Sequence, residues 1–136
     1  MAESPHEFLQ PDGLMPARGF SHVAVPAAGR TVYVAGQTAH DAEGVIVGET
    51  HAEQWAQALK NLVTALDAAG AEPGQIVSMQ IYVTDIHAYR RSLTEIGEAW
   101  NESLGRHYPA ISLFGIDALV APEAEVEIVA TAVVPE

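Results

Sequence analysis

Two rhythms of apolar residues run along this chain from His22 onward, one of period two and one close to period 3.6. The stretch from Ile76 to Thr84 alternates most cleanly, with Val77, Met79, Ile81 and Val83 set against Ser78, Gln80, Tyr82 and Thr84; it predicts a strand. Ser21–Val25 and Thr31–Ala35 flank a Pro26–Gly29 turn and predict a hairpin. A further turn at Asp41–Gly44 leads into the short apolar run Val45–Val47. Ile111–Gly115 and Glu125–Val134 complete the strand-like segments, with Pro122 breaking the chain between them.

Helical spacing occupies the middle. Thr50, with Glu53 three residues on, has the form of a capping box, and Trp55, Leu59, Leu62, Val63 and Leu66 make one stripe that Gly70 ends. Asp85 caps a second helix with the stripe Ile86, Tyr89, Leu93, Ile96 and Trp100, stopped at Gly105. The order β-β-(β)-α-β-α-β-β predicts an α+β fold, one mixed sheet with two helices packed on one face. Both faces of the last strand are partly apolar, so the face without helices calls for cover from another subunit. Residues 1–17 carry three prolines and no sustained period, and read as an arm; 18–136 read as a single domain.

Composition narrows the chemistry. Six Lys+Arg against 18 Asp+Glu give a formal net charge of −12 in 136 residues, which disfavours nucleic acid and anionic membrane as partners. There is no cysteine, so thiolate metal sites and cysteine nucleophiles are excluded. No charged-then-apolar leader is read at the start, and no apolar run approaches about 18 residues; a cytoplasmic location is expected. The six histidines show no metal-ligand spacing, and there is neither a phosphate-binding glycine loop nor a nucleophile elbow. No metal or cofactor is implied.

Several segments, in order, resemble the RidA/YjgF family. Gly19-Phe20-Ser21-His22 is similar to its entry loop, Val32-Tyr33-Val34-Ala35-Gly36-Gln37 to its V-Y-x-S-G-Q strand end, and Tyr82-Val83-Thr84-Asp85-Ile86 to its F-V-T-D junction. Gln57–Leu62 and Leu66–Ala71 resemble its long helix and the turn after it. Tyr108-Pro109-Ala110 resembles the approach to its P-A-R motif, and Val126-Glu127-Ile128 its closing V-E-I-E-A strand. The resemblance implies a chorismate-mutase-like fold assembled as a homotrimeric barrel, with small-molecule pockets between subunits.

In family deaminases the arginine after Pro-Ala holds the substrate carboxylate while water attacks an imine carbon. Here that position is Ile111, and losing a charge-assisted bond costs on the order of 10- to 100-fold in binding. Val129 stands where the family glutamate would be, and Leu93 where an asparagine would be. Phe20 keeps the ring of a family tyrosine without its hydroxyl. Gly36 matches, and a glycine there lets a ligand approach the backbone. Arg18 and Arg106 are the two cations near these segments, and Arg18 is preferred as a replacement anchor. Ser112 offers a hydroxyl or amide to a ligand, and His107 and His22 are candidate acids or bases.

Two functions from different classes remain open. One is hydrolysis of an imine- or enamine-type small metabolite that depends less on a carboxylate anchor. The other is a non-catalytic ligand-binding or protein-interaction trimer. Endoribonuclease activity, a label attached to parts of the family, is disfavoured by the charge. The catalytic residues themselves are left unassigned.

Overall fold

The computed structural model describes residues 3–136. Its main sheet has four strands: β3 (Gly29–Gln37), β4 (Ile76–Val83), β5 (Ala110–Gly115) and β6 (Val126–Pro135), in the order β3-β6-β4-β5. β6 runs antiparallel to both its neighbours, whereas β4 and β5 are parallel, so the sheet is mixed. A parallel pair needs a crossover, and the helices between β4 and β5 supply it. The α+β class with one helix-covered face is as the pattern predicts.

The register sorts the side chains. Val34, Ala130, Met79 and Ile111 form one cross-strand row, and Ile128, Ile81 and Leu113 another. These rows lie under α1 (His51–Ala68), whose Leu59, Leu62 and Leu66 are fully buried against them. The intervening rows, Tyr33–Thr131–Ser78–Ala110 and Val129–Gln80–Ser112, face the other way. On that side Tyr33 is 81% exposed and Phe114 45%. The helix-free face is real and partly apolar.

α1 begins as its sequence dictates. The Thr50 hydroxyl accepts from the Glu53 amide and the Glu53 carboxylate accepts from the Thr50 amide, both at 3.1 Å. The second helix differs from expectation. It is two helices, α2 (Ile86–Arg91) and α3 (Leu93–Leu104), separated at Ser92 with φ −111° and ψ 14°. The Ser92 amide closes a tight turn onto the Tyr89 carbonyl at 3.1 Å. The break resets the stripe: Ile96, Trp100 and Leu104 are buried, while Leu93 is left 53% exposed.

The expected hairpin between Ser21–Val25 and Thr31–Ala35 does not form. β2 (Val23–Val25) pairs instead with β1 (Glu7–Leu9), and β3 pairs with β6 from Gly29↔Pro135 onward. Val32 and Val34 gain burial by lying beside Ala130 and Ala132, which outweighs the local turn signal. Val45–Val47 contributes only an isolated bridge between His40 and Ile46.

Residues within the expected arm are tied to the domain. His6 is buried; its Nε2–H donates to the Val133 carbonyl at 2.8 Å, and its Nδ1 accepts from the Ala27 amide at 2.9 Å. Among the described residues, no helix is long and apolar enough to cross a membrane.

Candidate functional site

Between α3 and the β5 edge lies a cavity of about 410 Å³. β5 and β4 form its floor through Ile111, Leu113 and Ile81, because those positions share the helix-facing side of the sheet. α3 forms one wall with Leu93, Ile96, Gly97 and Trp100, which recur at intervals of three and four residues. Trp55 from α1 and Tyr89 from α2 close the far end, and the Arg18–Phe20 loop with Tyr108 forms the rim.

Two stacked aromatic pairs fix much of this lining. Trp55 and Tyr89 lie with ring centroids 5.8 Å apart and planes at 28°, Trp100 and Tyr108 at 6.4 Å and 12°. The Trp100 indole N–H donates to the His107 carbonyl at 3.0 Å. That of Trp55 donates to His51 Nε2 at 2.9 Å, and His51 Nδ1–H in turn donates to the Glu125 carboxylate at 3.0 Å. Both indoles are therefore oriented from behind, leaving their faces to packing and to the cavity. Burial pushes the Tyr89 phenol above its ordinary value, so it stays a neutral O–H donor.

The lining contains one cation, Arg18, whose side chain is exposed. It contains no carboxylate, imidazole or aliphatic hydroxyl. The chain thus offers here an apolar, aromatic chamber, a guanidinium at the rim and phenol donors. It offers no side chain that exchanges a proton near neutral pH.

The structure brings four of the sequence-predicted residues together here: Arg18, Phe20, Leu93 and Ile111. Phe20 also meets the His22 ring edge-on at 5.1 Å, and His22 Nε2–H donates to the Met15 carbonyl at 2.7 Å. Arg106 and His107 lie elsewhere, in a second cavity of about 690 Å³ with Phe8 and Asn101. There His107 Nε2–H donates to the Ile76 carbonyl at 2.7 Å. Burial drives its pKa below the ordinary histidine value, against the opposing effect of that bond and with a smaller push from His6.

Ser112 and Val129 share a cross-strand row on the helix-free face. Gly36 lies on edge strand β3, and a Cβ built there would come within 2.7 Å of the Glu127 side chain. The Glu127 side chain fills the space beside this glycine. A third hollow, about 670 Å³ beside Lys60, Glu72 and Glu102, gathers none of the predicted residues. Among the described residues no group of His, Asp or Glu is placed to hold a metal ion.

Trp55, Tyr89 and Trp100, whose helical spacing predicts packing positions, also line the cavity, a part their stripes do not reveal. The His51–Trp55 spacing of four residues was a usable signal, since it sets two polar-edged rings one above the other on a helix.

Fold and cavity together define a small α+β protein whose chamber lies between a helix layer and a parallel edge strand. The chain belongs to the RidA/YjgF family: the family model described as Endoribonuclease L-PSP matches residues 11–134. It is similar in structure to a Rid-family protein of unknown function, YyfB from Yersinia pestis, with a TM-score of 0.84 and 33% identity over 95% of this chain and 98% of that one. A member of the YjgF/YER057c/UK114 family from Mycobacterium tuberculosis is 34% identical, with a TM-score of 0.63, over 95% of this chain and 99% of the other. In sequence the chain is 30% identical to the human 2-iminobutanoate/2-iminopropanoate deaminase across 91 residues, 66% of this chain. That match spans 64% of the human protein's length.

Proposed function

We propose that this protein is a divergent, cytoplasmic RidA/YjgF homotrimer that hydrolyses an imine- or enamine-type small metabolite without an arginine anchor at position 111. The observation that carries this reading is Ile111 itself. It lines a ligand-sized cavity whose one cation, Arg18, comes from a different segment. The name of the human relative supports the reaction class.

Imine hydrolysis asks little of a protein. Water adds to the carbon of C=N, the nitrogen takes up protons and leaves as ammonia, and the carbon keeps the oxygen as a carbonyl. Arg18 is suited to hold an anionic group at the rim, and the aromatic walls to fix the rest of the molecule. Excluding bulk water on all but one side favours a single direction of attack. A trimer built on the helix-free face would cover Tyr33, Phe114 and Val129 and would add a second subunit's groups near the β5 edge.

The test is hydrolysis of 2-iminopropanoate generated in place by a lyase, followed as loss of semicarbazide trapping beside a relative that keeps its arginine. Acceleration well above buffer, reduced in Arg18→Gln, is the expected result. A rate equal to buffer overturns it.

One observation favours a second reading, a non-catalytic ligand-binding trimer: no group that titrates near neutral pH lines the cavity within one subunit. Saturable binding of a 2-oxo acid with no product from the matching imine would select it.

A further inference from the structure

The cavity's chemistry is lopsided. Its interior is carbon-rich, with the indoles of Trp55 and Trp100, the phenol rings of Tyr89 and Tyr108, and Ile111 where a cation would otherwise reach in. Its one positive charge is at the rim. At about 410 Å³ it exceeds what a two- or three-carbon acid can fill, and falls at the low end of the roughly 300–1,000 Å³ of small-molecule pockets.

A ligand with a methyl side chain would leave most of the exposed or half-buried walls (Phe20, Tyr89, Leu93, Tyr108, Ile111 and Leu113) in contact with water, the indoles of Trp55 and Trp100 being already buried. A ring would cover them, and burying a ring rather than a methyl favours binding by about 10- to 100-fold. Flat rings also meet aromatic walls in offset or edge-on geometry, adding roughly 2- to 10-fold per well-placed contact. The protein's charge of −12 repels anions at a distance, so an anionic ligand needs a local cation, and Arg18 is the one in reach.

Resting on the assignment of this cavity as the binding site, we infer that the preferred ligand is an aromatic 2-imino acid and its 2-oxo product. Its ring sits against the exposed parts of Phe20, Tyr89 and Tyr108, and its carboxylate meets Arg18 at the rim. Ile111 then acts as a specificity residue: it gives the ring a floor where a buried guanidinium would demand an anion.

Calorimetric titration of the full chain with phenylpyruvate, pyruvate and 2-phenylethylammonium tests the ligand class without requiring turnover. Phenylpyruvate is expected to bind at least about tenfold more tightly than pyruvate. Arg18→Gln should weaken phenylpyruvate by roughly five- to tenfold, the lower end for a charged bond because the guanidinium is exposed. Leu93→Glu, at an exposed rim position that does not threaten folding, should weaken it further by placing an anion at the mouth. Equal affinity for phenylpyruvate and pyruvate, or tighter binding of the ammonium, overturns the inference.

Hydrolysis of the imines formed by amino-acid oxidase from phenylalanine and from alanine separates the two claims. Selective phenylpyruvate binding with no acceleration of either imine removes the hydrolase reading and keeps the ligand class. Equal acceleration of both does the reverse.

Discussion

The indole N–H of Trp55 points at Nε2 of His51, one helical turn back along α1, at 2.9 Å. His51 must keep its proton on Nδ1, where the Glu125 carboxylate accepts it at 3.0 Å. This chain of two hydrogen bonds runs from the residue before β6, through the first turn of α1, into the wall of the cavity. His51 and Trp55 are both buried, so the bond between them is not exchanged cheaply for water, whereas the Glu125 carboxylate is partly exposed.

Replacing His51 with phenylalanine keeps a ring in place and removes both bonds. The expected loss is about 1–3 kcal/mol in urea unfolding, the cost of stranding a buried indole donor. Trp55 fluorescence should broaden as the ring loses its fixed orientation. Unchanged stability would show that water reaches the indole nitrogen.

Stability should fall with acid in two stages. The folded pKa of His107 is depressed, chiefly by burial, so its contribution is present above the unfolded value and lost as pH falls through the folded one. Urea midpoints measured between about pH 8 and pH 5 should decline, and His107→Gln should flatten the decline. Asp85 is also depressed, first by its bond to the Ala88 amide, so its share disappears only in stronger acid. In Asp85→Asn that later stage should be missing.

Two glycines separate sterics from ligand access. A Cβ at Gly29 would meet the Val134 carbonyl oxygen at 2.2 Å, a backbone atom fixed by the β3–β6 ladder. At Gly36 the obstacle is the Glu127 side chain, whose end can swing away. Gly29→Ala should therefore cost about 1–3 kcal/mol, and Gly36→Ala clearly less. Thermal unfolding of the two variants decides, and the opposite order would mean that Gly36 is held by something other than Glu127.

Ile111→Arg returns to position 111 the residue the family resemblance expects. The side chain enters the cavity floor, where Met79 and Ile81 lie on the neighbouring strand, so some loss of stability is expected. Pyruvate affinity should rise by roughly tenfold and phenylpyruvate affinity should fall. Calorimetry with both ligands reads the exchange directly. No gain for pyruvate would count against a simple missing-anchor account.

Much of the fold was legible because it follows from short-range rules. The alternation of Val77, Met79, Ile81 and Val83 gives β4 its two faces, and the Thr50–Glu53 box starts α1 where local hydrogen bonding satisfies its first amides. The break at Ser92 was not legible, because Leu93 fits the stripe of an unbroken helix and only packing around Ile96 and Trp100 shows that it leaves it. The partner of β3 was equally hidden. A strand's sequence records how many faces it buries, not which distant strand buries them, and the nearby turn at Pro26–Gly29 suggested β2 where β6 is the partner.

The same division holds for the site. The sequence by itself determined the family, the absence of thiol chemistry, the negative surface and the apolar residue at position 111, since each depends on residue identity or order alone. Tertiary structure decided which of those residues meet. Alternation along β5 turns Ile111 toward the helices and Ser112 away, and the sheet separates Arg18, Phe20 and Leu93 from Val129. It also collected four aromatic rings from α1, α2, α3 and the Tyr108 segment, because residues far apart in the chain become neighbours only when the helix layer closes over the sheet.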